Sequence, residues 1–199
     1  MFHRSIFAVA ALALSAAPAQ AALVTATWSG SQFGNTATAT GHFDISPTIS
    51  SDFAIAPFSA DFHLIDLTIS GATSGNGTFS ESDFTGFVFA FDSPLDFSHE
   101  LVGQMMSNGC TFGNFVNPCY DGASGDFNLF SGTAGSPTGV WYFQLNTLLG
   151  AGDALALTSI APSSVAGVPE PTTWAMMLFG FGAVGYSMRR RKAAISQLT

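Results

Sequence analysis

Across 199 residues the chain carries 13 Asp and Glu against 5 Lys and Arg, a formal net charge of −8, and 47% of it is hydrophobic, including 20 Phe. All five cations, Arg4, Arg189, Arg190, Arg191 and Lys192, lie near the two ends, whereas every carboxylate except Glu170 falls between Ala22 and Val168. That middle can form no Lys or Arg salt bridge and repels phosphate, which excludes nucleic acid as a partner, because such affinity comes from cations that release counterions. Neutral glycans, cations and other proteins stay compatible with it, and the charge favours solubility.

The chain opens with Met1, Phe2, His3 and Arg4, followed by an apolar run from Ile6 to Leu14 and the small-residue triplet Ala19-Gln20-Ala21. A single cation, an apolar core and a small-x-small end make up a secretory signal peptide over residues 1–21, with Ala19 and Ala21 setting cleavage after Ala21. Export through the Sec machinery is the expectation. The remainder before the tail, residues 22–167, is the size of one domain with one core.

Within that domain the pattern is strand-like. From Thr36 to Ile45 polar residues alternate with Ala37, Ala39, Gly41, Phe43 and Ile45, the period of a half-buried strand. The same alternation predicts strands through Phe87, Phe89 and Phe91, and through Trp141, Phe143 and Leu145. Phe62 and Leu64 share one phase while Leu67 and Ile69 share the other, so a bulge is expected near Ile65-Asp66. Leu23 to Trp28, Gly77 to Phe84, Asp126 to Phe130 and Ala154 to Ile160 complete the set. Ser46-Pro47, Gly75-Asn76-Gly77, Ser93-Pro94, Asp121-Gly122 and Gly150-Ala151-Gly152 separate the runs. No stretch sustains a helical period. The expectation is an all-β ectodomain, an antiparallel β-sandwich of jelly-roll type with a Phe-rich core. Leu101 to Tyr120 reads instead as a long loop. In an exported chain its cysteines, Cys110 and Cys119, pair as a disulfide, worth roughly 2–3 kcal/mol for a loop of about ten residues.

Catalytic and metal-binding patterns fail one by one. His42 and His63 are each isolated and read as solvated strand residues. His99-Glu100 begins like a zinc-protease helix, but Gly103 stands where the second histidine is needed. The nucleophile-elbow pentapeptide is absent, Gly122-Ala123-Ser124-Gly125 having the wrong spacing. A glycosidase needs two carboxylates across a cleft, and sequence cannot pair any two. Asp121, Asp126 and Asn128 offer oxygens to calcium without matching a calcium-loop pattern, so they read as a polar turn. Asn76-Gly77-Thr78 is a hairpin turn rather than a glycosylation site. The expectation is no catalytic residue, no metal and no cofactor.

Beyond the domain come Val168, Pro169, Glu170 and Pro171, then Trp174 and Ala175, an uncharged run to Met188 and the cluster Arg189, Arg190, Arg191 and Lys192. Two prolines around Glu170 hold the peptide extended, Trp174 suits the headgroup level, and the cations stay cytoplasmic. A helix over residues 172–188 would span about 25 Å, near the lower limit for crossing a bilayer, and Gly180, Gly182 and Gly185 weaken it. Residues 193–199 follow as a cytoplasmic tail.

This segment, residues 168–192, resembles the PEP-CTERM sorting signal in its Pro-Glu-Pro-x-x-Trp-Ala variant. The resemblance implies recognition by an exosortase, a membrane-embedded cysteine transpeptidase of Gram-negative bacteria. It further implies transient anchoring in the inner membrane, then a surface or extracellular location, in company with exopolysaccharide and biofilm. It says nothing of the domain, because such tails accompany unrelated folds. The leading expectation for the domain is a non-enzymatic surface or matrix component. The alternative is a carbohydrate-binding or calcium-dependent adhesive module with Trp28, Tyr120, Trp141 and Tyr142 as sugar platforms, and a glycan-degrading enzyme comes third.

With no Lys or Arg between Arg4 and Arg189, trypsin should leave the piece from Ala22 to Val168 whole even in denaturant. Mass spectrometry of a digest run in urea checks this, and internal tryptic fragments would refute it.

Overall fold

The computed structural model describes residues 22–119, 121–163 and 176–182. One compact unit ends at Ser163, and residues 176–182 belong to a second. Within the first, ten strands run in chain order: β1 (Ala22–Ser29), β2 (Thr38–Ile45), β3 (Asp52–Ala56), β4 (Phe62–Ser70), β5 (Gly77–Phe79), β6 (Gly86–Ala90), β7 (Asp126–Phe130), β8 (Thr138–Trp141), β9 (Gln144–Asn146) and β10 (Ala154–Pro162). Short 3-10 turns occupy Ser31–Phe33 and Glu81–Asp83.

Every pairing is antiparallel. Seven strands form a large sheet in the order β5-β4-β2-β1-β10-β9-β8, and three form a small one, β3-β6-β7. The large sheet curls into a half-barrel. Its β8 end comes back against β7, where the Thr138 hydroxyl donates to the Leu129 carbonyl and the Phe143 N–H donates to Asp126 Oδ1. A jelly roll divides eight strands between two sheets by Greek keys; here the division is seven and three, with the first and last strands paired at the centre of the large sheet.

Strand alternation dictates the core. Val24, Ala26 and Trp28 on β1, Phe43 and Ile45 on β2, and Phe62 and Leu64 on β4 are buried on one face of the large sheet, as the two-residue period requires. The expected bulge is present: His42 pairs with Asp66 and Phe43 with Leu64, so Ile65 is the extra residue. It returns Leu67 and Ile69 to the inner face, where both are buried. Opposite stand Phe87 and Phe89 from β6 and Phe127 and Leu129 from β7, all buried. Phe62 stacks on Phe87 with centroids 3.8 Å apart and planes 9° from parallel. Phe127 lies 5.8 Å from Trp28, 5.3 Å from Phe43 and 5.7 Å from Phe89.

Three expectations change. Trp141 to Asn146 is not one strand but a hairpin, in which Trp141 pairs with Gln144 across Tyr142 and Phe143. Phe143 takes a left-handed backbone, φ 56°, and is fully buried. Placing its ring in the core, where it meets Phe112 at 5.1 Å, contributes about 1.5–3 kcal/mol and offsets the roughly 1–2 kcal/mol cost of that conformation. The run from Gly77 to Phe84 stops as strand at Phe79 and turns through a capping box between Ser80 and Asp83. Finally, β3 was not expected at all: its pattern is almost wholly exposed, with Phe53 and Ile55 facing solvent.

The segment between β6 and β7 is irregular, as expected, and it packs. Leu101, Met106 and Phe112 are buried. Cys110 and Cys119 form a disulfide with Cα atoms 5.7 Å apart.

Phe62→Ala should lower the unfolding free energy by about 3–5 kcal/mol, because the ring is the junction of both sheets. Met105→Ala, at a side chain 64% exposed, should change it by about 0.5 kcal/mol or less. Urea titration measures both, and equal losses would place the core elsewhere.

Candidate functional site

The groups that could act lie where strand alternation turns β7 outward. Phe127 and Leu129 enter the core, so Asp126 and Asn128 occupy the other face of the strand. That face is covered by β8 and the β8–β9 hairpin, which leaves both residues buried, Asn128 only 5% exposed. The approach is close because Gly139 lacks a side chain: a Cβ there would stand 2.3 Å from Asn128 Oδ1. Between β7 and the hairpin lies a groove of about 180 Å³ lined by Asp126, Asn128, Phe130, Val140, Trp141 and Tyr142.

Its polar base is a pair. Asn128 Nδ2 donates to Asp126 Oδ1, which also accepts the Phe143 N–H at 3.3 Å. Asn128 Oδ1 has no partner among the described residues. An orphaned buried acceptor costs about 1–3 kcal/mol. Burial pushes the Asp126 carboxyl above the usual carboxylate range, against the hydrogen bonds from Asn128, Phe143 and Phe127. The rim is aromatic: Trp141 is 48% exposed and meets Tyr142 edge-on at 5.2 Å. Phe53 of β3 and Tyr142 both come within 3.4 Å of the point where a Cβ on Gly122 would stand, so the two rings are neighbours, although Phe53 does not line the groove itself.

Other sequence candidates fall out differently. Trp28 is 3% exposed and stacked on Phe127, so it is a core residue and no sugar platform. Tyr120 lies outside the described residues. Asp126 and Asn128 come together, but Asp121 sits in a turn at φ 61° and does not line the groove. Among the described residues no three His, Cys, Asp or Glu are grouped to hold a metal ion. Asn76 closes the turn after β4, its amide bonding both backbone groups of Ala72 at 2.9 and 2.7 Å.

The histidines are not isolated. His42 Nδ1 lies 2.9 Å from Asp66, His63 Nδ1 3.1 Å from Glu81, and His99 Nδ1 2.9 Å from Asp96. The first two partners sit on neighbouring elements, which is why sequence spacing did not reveal them. Asp96 is held down at about 2, first by the Ser98 hydroxyl and N–H and then by His99. Asp92 is lowered by the hydroxyl and N–H of Ser107. These pairs are exposed and line no cavity described here.

The tail residues Val168, Pro169, Glu170, Pro171, Trp174 and Ala175, the basic cluster Arg189 to Lys192, and Ala19 and Ala21 at the amino end lie outside the described residues. Of the expected span over residues 172–188, only 176–182 is described. It is helical, with Met176, Leu178, Phe179 and Phe181 at least 70% exposed. No helix among the described residues is long and apolar enough to cross a membrane.

Because the folded state holds the Asp126 proton more tightly than the unfolded chain does, stability falls as pH rises through the window above the ordinary value near 3.8. Asp126→Asn keeps an acceptor for Asn128 and Phe143 and removes this loss. The variant should melt higher than the wild type at about pH 7 and no higher at about pH 3. A variant that melts lower at neutral pH would show that the fold requires the carboxylate.

No curated protein and no solved structure matches the chain significantly. Residues 167–192 match the family model described as the PEP-CTERM protein-sorting motif. The chain thus carries a PEP-CTERM sorting motif at its C-terminal end, which implies an exported protein processed by an exosortase.

Proposed function

We propose that this chain is a non-enzymatic component of the cell surface or extracellular matrix, linked to exopolysaccharide or biofilm. The observation that carries this reading is the sorting motif over residues 167–192, which follows an acidic domain free of Lys and Arg and ends in the basic cluster Arg189 to Lys192. Residues 1–21 direct Sec export across the inner membrane and are removed after Ala21. Residues 172–188 then hold the chain as a short helix, with Arg189, Arg190, Arg191 and Lys192 stopping transfer. A span so near the minimum length, and with three glycines, suits transient presentation of Val168 to Pro171 better than permanent anchoring.

The domain is read as a β-sandwich in which the small sheet covers the curled large one, supported by the ring contacts between Phe62 and Phe87 and between Phe43 and Phe127.

In a host with the matching exosortase, the surface form should lack Arg189 to Thr199 by C-terminal mass spectrometry. Replacing Pro169-Glu170-Pro171 with alanines should leave a longer, membrane-retained species. Identical intact mass and fractionation for the two chains would reduce the segment to a plain anchor.

A further inference from the structure

We propose that the groove between β7 and the β8–β9 hairpin binds one neutral pyranose unit of a polysaccharide, Trp141 stacking on the ring while Asp126, held in place by Asn128, accepts its hydroxyl hydrogens. The choice of ligand class rests on the reading of an extracellular matrix protein; the site itself rests on geometry.

Two features converge on a sugar. A sugar ring presents an apolar C–H face and a polar edge of hydroxyls, and the groove presents the complement: an aromatic face on its rim and oxygen acceptors at its base. Trp141 offers that face with 48% exposure, fixed by its edge contact with Tyr142. Asn128 Oδ1 is closed off against the backbone of Gly139, so Asn128 serves the ligand only through the bond from its Nδ2 to Asp126 Oδ1. Asp126 stands beside it, oriented through Oδ1 by Asn128 Nδ2 and the Phe143 N–H.

Size and charge narrow the class. The groove, about 180 Å³, is smaller than the roughly 300–1,000 Å³ of pockets for drug-sized ligands, so it takes one ring and leaves the rest of a chain outside. Phe53, 55% exposed and adjoining Tyr142, lies where a neighbouring unit would run. No Lys or Arg occurs between Arg4 and Arg189, so a uronate or sulfated sugar finds no counter-charge and meets a buried carboxylate instead. The ligand is therefore neutral.

Saturation-transfer NMR on the full chain in detergent would use glucose, galactose, mannose and their neutral oligomers as probes, with galacturonate oligomers as the charged control. At least one neutral probe should bind with a Kd on the order of 1 mM. Trp141→Ala and Asp126→Asn should each weaken it by at least about tenfold. Both variants should keep the wild-type circular dichroism, and Asp126→Asn should lose no stability at neutral pH, which separates lost binding from lost folding. Absence of binding by every neutral probe, binding that survives either substitution, or galacturonate bound as tightly as the neutral sugars would each overturn the assignment. Trp141→Ala should still be processed in cells, so a failed groove and a failed sorting reading give different results.

Discussion

The ring of Phe127 is the contact on which the rest of the domain depends. It projects from β7 and touches Trp28 and Phe43 on two strands of the large sheet and Phe89 beside it on β6. A domain without Lys or Arg has no salt bridges of that kind to orient one sheet on another, so orientation falls to ring shape, and edge-on and stacked contacts are geometrically selective. The same contact sets the site. With Phe127 and Leu129 inward, Asp126 and Asn128 must lie on the opposite face, and a slip of one residue would exchange the pairs.

The shortage of cations also explains how the carboxylates are stabilised. Asp153 accepts the Thr73 N–H at 2.6 Å, Glu81 the Leu64 N–H at 3.1 Å, and Asp52 the Ala54 N–H at 2.8 Å. Glu100 takes the Ile160 N–H and the Ser159 hydroxyl, tying the irregular segment to β10. Where such donors dominate, as at Asp92 and Asp96, the carboxyl is held below its ordinary value, and its contribution is lost as pH falls through the folded value. Asp126 runs the other way because desolvation exceeds its hydrogen bonds. Its environment therefore differs from that of the acids that close turns, and it lies at the base of the groove beside β7.

Much of this was legible in the sequence where period two holds without interruption. Alternation placed β2 with its end at Ile45, the expected limits of β7 are those observed, the expected runs Leu23 to Trp28 and Ala154 to Ile160 fall inside β1 and β10, and the bulge at Ile65 follows from the change of phase between Leu64 and Leu67. Alternation misled at Trp141 to Asn146, because a two-residue turn usually announces itself with Gly, Asn or Asp, whereas here a buried Phe143 occupies the left-handed position. It was silent at β3, whose side chains bury too little to leave a pattern. Of the proposed sugar platforms, Trp141 and Tyr142 were named from sequence, but Trp28 obeyed the same alternation as Val24 and Ala26 and is core. The Asp126–Asn128 pair was visible only as a possible calcium turn. Its burial depends on Gly139, a contact between strands that no local spacing encodes.

The tail and the domain follow from one distribution of charge. Cations confined to the two ends leave the exported domain with nothing to attract anionic headgroups, since adhesion to such surfaces runs at about 1 kcal/mol per Lys or Arg. On the proposed reading, retention at the membrane depends on the tail alone, and removal of the tail leaves the domain no electrostatic hold. The domain carries carboxylates, hydroxyls and a few exposed aromatic rings, a surface that repels anionic polymers. On the proposed reading, the neutral character of the ligand at the groove follows from excluding Lys and Arg from the stretch between Arg4 and Arg189.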